Sequence, residues 1–574
     1  MRYLFFSVLL LVAMKINAQG TWAPLKNKTP YSKGGCMVML LMTDGTIMIK
    51  TDSVPNDTIG SSTWSLLTPD VHGSYLNGTW TNLSSMSKNR LYFSSQVLQD
   101  GRVLVIGGEN GDGQGTAEIY DPVKNTWTLL FPIGTYWDGN SELLPDGRVL
   151  VAKLEPGAFF QTRIYNPFSN TWANGPTCHG SSDESAWVKL PDNSIIYVDI
   201  ASRKSERYIP ALNKWLVEDT VPVSIYDPYG DESGPAFLLP DGRAFFIGSM
   251  PVTAFYTPSG DTTKGKWLPG PVIPDSMGMP DASGAMMVNG KILLVFSHTP
   301  SAAHHFPRPS VFYEFNYLTN TFQQIVAPGG GDTLQDRTAD CNMLDLPDGT
   351  VLYSNQGSSQ LYVYTPDESP LAAGKPSINN ITQNECTFTI TGTLFNGISE
   401  GAVYGDDWQM PTNRPIIRLS ADSNVYYVKT THWNSTGLQR GIQADTATFT
   451  LPETVPYGDY TLVVTANGNA SDTINFNYRP CLTGLEESKS PGNNLKAYPN
   501  PADNWLTIDY SSTNTGNYIT RIIDVLGRTV MEQSDVAVMG INSRMLYLNG
   551  ISPGIYLINV QQKDEVYSLK IIVR

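Results

Sequence analysis

The sequence predicts an all-β chain, a ring of seven four-stranded repeats followed by two smaller β-sandwiches. Three observations predict it. An apolar strand, a tight polar turn and a second apolar strand recur seven times, with turns at MTDG (42–45), LQDG (98–101), LPDG (144–147), LPDN (190–193), LPDG (239–242), VNG (288–290) and LPDG (346–349). Their last residues lie 46 to 59 positions apart, the length of a four-stranded propeller blade with loop insertions. Aromatic pairs seven residues apart follow the turns: Tyr120 with Trp127, Tyr165 with Trp172, Tyr208 with Trp215, and Phe315 with Phe322, while Tyr256 to Trp267 carries an insertion. Such rings bury a large apolar area between neighbouring sheets. Finally, 50 Gly and 39 Pro stand against only 16 % charged residues in 574, which suits short strands with tight turns and disfavours a long helical bundle.

In chain order, residues 1–18 read as a secretory signal: a basic start at Arg2, an apolar run over 4–14, and cleavage between Ala18 and Gln19. Residues 19–373 hold the repeats, an expected seven-bladed propeller. The seventh repeat reaches Tyr364 without its closing aromatic strand, and GTWAPL (20–25) reads as that strand moved to the N-terminus. Closure of this kind removes an exposed sheet edge. Residues 374–480 alternate like a β-sandwich, as in CTFTIT (386–391) and DYTLVVT (459–465). A polar linker at 481–494 precedes a compact β-domain at 495–574. Five cysteines without CxxC spacing are too few for a disulfide scaffold, and Cys386 and Cys481 either pair or remain buried thiols.

The charge of −15 and the lack of a basic patch argue against nucleic acid. Beyond the leader, no run is long enough to span a bilayer. Six histidines restrict any mechanism built on imidazole.

GRVLVIGG (101–108), EIYDP (118–122) and NTW (125–127) resemble a kelch repeat, and the ring as a whole resembles the propeller of the galactose oxidase and glyoxal oxidase group. YGDDWQMPTNRPIIRL (404–419) resembles the immunoglobulin-like domain that follows that propeller. AYPNPA (497–502), IDVLGR (523–528), GIYLINV (554–560) and KIIVR (570–574) resemble the type A sorting domain of type IX secretion. That resemblance implies the type IX machinery as partner, with the product secreted or on the outer surface of a Gram-negative bacterium.

The oxidase resemblance implies a copper ion held by two tyrosines and two histidines, with a tyrosine linked to a cysteine. Cys36 and Tyr92, each nine residues before a turn glycine, match the linked pair and read as a relic. The adjacent Tyr-His pair of the last blade is replaced by Ala339-Asp340, and the remaining histidine falls on Asp407. Carboxylates and alanine do not make a nitrogen-rich copper site, so copper is not expected. The place nine or ten residues before the turn is instead acidic in five repeats: Asp138, Glu184, Glu232, Asp281 and Asp340, with Asp407 brought near by the sandwich. These six carboxylates form a candidate axial ligand site. A hard oxygen site for a divalent cation such as calcium, recognition of a glycan or protein, and simple capping of backbone amides or pairing with an arginine such as Arg337, Arg414 or Arg418 all remain open. The expected function is an extracellular glycan- or protein-binding module without copper-radical oxidation. The competing class is a carbohydrate-active enzyme, either a degenerate oxidase or a hydrolase or lyase using axial carboxylates.

Overall fold

The computed structural model describes residues 19–30, 36–51, 60–132, 134–155, 160–199, 202–230, 232–404, 408–479, 495–563 and 565–574. The chain forms two compact units, 1–479 and 480–574. Ala18, Asp407 and Cys481 fall outside the described residues.

Within the first unit, each sequence repeat becomes one antiparallel sheet. The second is typical: Ser94–Val97, Val103–Ile106, Ala117–Asp121 and Thr126–Leu130 pair in order, innermost to outermost. The Asp-Gly turn joins the first two strands, with Gly101 at φ +86°, a conformation that excludes most side chains. Asn125 takes the left-handed position of the outer hairpin and accepts a hydrogen bond from the Tyr120 hydroxyl at 3.0 Å. The sequence-predicted aromatic pairs sit directly opposite one another on the third and fourth strands. Tyr120 faces Trp127, Tyr165 faces Trp172, and Phe315 faces Phe322, with centroids 4.7 to 5.1 Å apart.

The expected N-terminal closure is present. Thr21–Pro24 pairs with Tyr362–Thr365 as the outermost strand of the last repeat, and Trp22 lies opposite Tyr364 as Trp127 lies opposite Tyr120. Trp22 also packs edge-on against Phe312 and Tyr353, and its indole donates to the Val326 carbonyl at 2.8 Å.

Neighbouring sheets are stitched together by polar contacts where the innermost strands begin. Arg90 N donates to Ser61 O, Gln96 Nε2 to Ser141 O, Asn140 Nδ2 to Ser185 O, and Ser233 Oγ to Glu184 O. Asp281 N donates to Ser233 O, Thr338 Oγ1 to Pro280 O, and Ser354 Oγ to Cys36 O, which returns the chain of contacts to the first repeat.

The strands after the ring, from Ser377–Asn384 to Ile474–Tyr478, form one continuous antiparallel sheet order around a core that includes Phe388, Ile417, Trp433, Phe449 and Leu462. This body covers the ring's turn-bearing end: Thr430 N donates to Thr43 O, His432 N to Gln99 O, and Gln439 Nε2 to Leu239 O. Cys386 is disulfide-bonded, whereas Cys36, Cys178 and Cys341 are buried and form no disulfide.

The second unit has a three-stranded and a four-stranded sheet. They enclose a core built from Leu506, Ile508, Ile522, Leu546, Ile558 and Ile571.

Candidate functional site

One hairpin of the second body departs from it and fills the ring axis. Its strands are Gly401–Tyr404 and Gln409–Pro411. The first adds to the innermost strand of the sixth repeat, with Ser283 opposite Tyr404 and Ala285 opposite Ala402. This antiparallel register carries Tyr404 to the end of the ring opposite the turns, where the innermost strands start.

Gln409 is fixed by four groups from two sheets. Its Oε1 accepts from Ser94 Oγ, Ser95 N and Ser141 Oγ at 3.0 to 3.3 Å, and its Nε2 donates to Asn140 Oδ1 at 2.9 Å. Met410 Sδ accepts from Met39 N of the first repeat. Beside the hairpin, Lys189 Nζ lies 2.5 Å from Glu142 Oε1 and 3.8 Å from Glu400 Oε1, and all three side chains are buried. Burial, and secondarily the Glu142 charge, push the Glu400 carboxyl well above the ordinary range. Arg414 bonds to the Leu41 and Pro411 carbonyls, and burial pulls its guanidinium down to about 9. The space left along this part of the axis is about 20 Å³, room for about one water. Among the described residues, this part of the axis is therefore packed and is not an open channel.

At the end opposite the turns, Tyr92 stacks on Trp408 with centroids 5.3 Å apart and ring planes 26° from parallel. Tyr92, Glu184 and Asp281, which share one place in the repeat, have left-handed backbones at φ 51°, 50° and 43°. Non-glycine residues persist there only where their surroundings hold them. The Glu184 and Glu232 carbonyls and the Asp281 amide join contacts within or between sheets, while the four side chains of Asp138, Glu184, Glu232 and Asp281 are half-buried. Asp340 is different. It is buried, and Arg337 holds it by Nη2 to Oδ1 at 2.6 Å and by Nε at 3.1 Å, so the arginine pairing left open by the sequence is realised here.

Among the described residues, no group of three or more His, Cys, Asp or Glu side chains is placed to hold a metal ion. The residues at the copper positions do not fit copper either. The Ala339 carbonyl accepts from Gln356 Nε2, and Asp340 is committed to Arg337. Cys36 is fully buried in the apolar core.

Sequence reasoning missed Trp137. It is 36 % exposed and precedes Asp138 on the loop entering the third repeat, whereas every other tryptophan of 19–479 is buried or half-buried. The signal was present, because Trp137 falls outside the aromatic-pair pattern that accounts for Trp127 and Trp172.

Residues 93–130, the second repeat, match the Kelch motif, and residues 496–574 match the secretion system C-terminal sorting domain. No curated protein sequence matches the chain. Among solved structures, a fungal alcohol oxidase of the AA5 family in complex with copper is 14 % identical, with a TM-score of 0.47, covering 80 % of this chain and 99 % of that one. A catalytically inactive virginiamycin B lyase from Staphylococcus aureus with quinupristin is 11 % identical, with a TM-score of 0.41, covering 60 % and 99 %. Among the described residues, no helix is long and apolar enough to cross a membrane. The chain thus carries a kelch motif within a propeller-like all-β fold and a C-terminal sorting domain that indicates export by type IX secretion and implies a secreted or cell-surface protein.

Proposed function

We propose that the end of the ring opposite its turns binds a hydroxyl-rich glycan outside the cell, without copper-radical oxidation, at the outer surface of a Gram-negative bacterium. The exposure of Trp137 beside Asp138 carries this reading. An indole face stacks on the C–H face of a sugar, and a neighbouring carboxylate accepts from its hydroxyls. Glu184 and Asp281 supply further carboxylates at the same repeat place, on backbones held in a sparsely populated conformation, and Glu232 supplies another one residue further from its turn.

Replacing Trp137 by alanine weakens glycan binding about tenfold or more, the equivalent of at least about 1.4 kcal/mol, and leaves the melting temperature unchanged. Glycan-array binding followed by titration calorimetry on the mature chain measures this, and wild-type affinity in W137A refutes the reading. The pairing of Asp340 with Arg337 supports a second expectation: protein purified in the presence of copper keeps only substoichiometric metal and releases no peroxide from galactose or glyoxal. Stoichiometric copper with peroxide release would restore the oxidase reading.

A further inference from the structure

We propose that the secretion machinery recognises this chain through the outer face of the three-stranded sheet in 495–574, docking an uncharged apolar strip against Tyr498, Trp505, Met545 and Tyr547. That sheet consists of Lys496–Tyr498, Trp505–Ser512 and Gly540–Tyr547. Its register sets Trp505 beside Tyr547, and Tyr498 and Met545 on either side of Thr507, so the four large side chains form one contiguous patch. They are 43 to 64 % exposed, while the alternate residues Leu506, Ile508 and Leu546 point inward and are buried. Period-two alternation normally gives an antiparallel sheet a polar outer face. Here Lys496 and Asp509 also stand on the outer face, Asp509 accepting from the Tyr498 hydroxyl at 2.9 Å, but the end of that face around Trp505 and Tyr547 is apolar, the arrangement expected of a surface that is covered by a partner.

The opposite sheet behaves differently. On its outer face the exposed large apolar side chains are aliphatic (Val530, Val536, Ile555, Val566 and Ile572, 38 to 66 % exposed), and between them Arg521 pairs with Glu532 at 2.7 Å and donates to Gln561, and Ser568 donates to Asn559. Charge separates this unit from the rest of the chain. Residues 495–574 carry seven acidic and seven basic side chains, so the whole −15 lies in residues 1–494. A neutral unit with exposed aromatics fits a partner that recognises shape and apolar area, since aromatic side chains dominate binding energy at interface centres. The match to a secretion sorting domain names that partner's class, and the proposal rests on that export route.

The test uses the full chain in a bacterium with an active type IX system, with extracellular and periplasmic fractions blotted. The pair W505S/Y547S lowers extracellular protein roughly tenfold or more, with matching periplasmic accumulation. The pair I555S/V566S, which removes exposed apolar side chains from the four-stranded sheet, is exported like the wild type. T507K, which places a charge at the centre of the patch without removing a large side chain, reproduces the loss if W505S/Y547S fails to fold. Wild-type export of both W505S/Y547S and T507K overturns the proposal, as does an equal loss in I555S/V566S. Deletion of 495–574 separates the two readings. Export of the truncated chain defeats the type IX route itself, whereas its retention alongside export of the face variants defeats only the face.

Discussion

Replacing Lys189 by methionine destabilises the first unit by about 3–5 kcal/mol at neutral pH, the usual cost of removing one partner from a buried charge cluster. The lysine ammonium is the positive member of a group whose other members, Glu142 and Glu400, come from the third repeat and from the segment leading into the axial hairpin. Glu142 also accepts from Leu143 N, and Glu400 accepts from Lys189 N, so neither carboxylate has room to turn towards solvent. Without Lys189 the Glu142 carboxylate and the Glu400 carboxyl face each other in a nearly dry site with their shared ammonium gone, which holds the proton on Glu400 to higher pH. The consequence has a defined sign. A carboxyl whose folded pKa is raised, as Glu400's is, keeps its proton in the native state after the unfolded chain has lost it. Native stability therefore falls as pH rises above the unfolded glutamate value of about 4.3. The K189M penalty is expected to be small near that pH and to grow towards neutrality, and adding Glu142→Gln and Glu400→Gln should recover most of it. Thermal denaturation of the three proteins across this pH range is the measurement. A penalty independent of pH would show that the cluster is not ionised as described.

Trp22→Ala is the second large effect, about 3–5 kcal/mol, the range for truncating a large aromatic in a packed core. The indole is half-buried but touches Phe312, Tyr353 and Tyr364, which belong to the sixth and last repeats, and its hydrogen bond to Val326 is lost as well. Its strand supplies the last repeat's outer edge, so the damage is not confined to a cavity. The exposed Tyr362–Thr365 edge becomes free to pair with other chains. The expected result is a lower melting temperature together with concentration-dependent aggregation, read by calorimetry and light scattering. W22F, which keeps the apolar contacts, should restore most of the stability. A melting temperature equal to the wild type in W22A would mean that the ring does not depend on its N-terminal strand.

The sheets and the closing strand were legible in the sequence because their signals are local. A turn glycine, a left-handed asparagine and two rings seven residues apart each specify one hairpin, and the same hairpin repeats. The missing outer strand of the last repeat pointed directly to Trp22. The filled axis was harder to read, because Gln409 meets Ser94 and Asn140 across more than 260 residues of chain. Yet a trace of it exists. Four residues before the turn glycine the repeats carry Leu41, Val97, Leu143, Leu238 and Met286, and only Lys189 and Asp345 are polar. Both are buried against the hairpin segment: Lys189 meets Glu400, and Asp345 lies 3.5 Å from the Thr412 hydroxyl. The acidic positions were found as a pattern, but their individual environments depend on loops whose course no repeat specifies. Asp340 next to Arg337 shows how one ion pair can make a shared pattern position locally different.

The axial hairpin also bears on how this protein can be cut and rebuilt. A propeller with an empty centre is a modular part, and its neighbour in the chain can be exchanged at the linker. Here the centre of the ring is furnished by the strands Gly401–Tyr404 and Gln409–Pro411, which the sequence places well inside the following body. Removing that body would strip the innermost strands of Gln409, Met410 and the Glu400 carboxylate together, and would leave Ser94, Ser141 and Lys189 facing a void. The natural boundary for transplantation or truncation therefore lies near residue 479, after both bodies, and not at residue 373 between them.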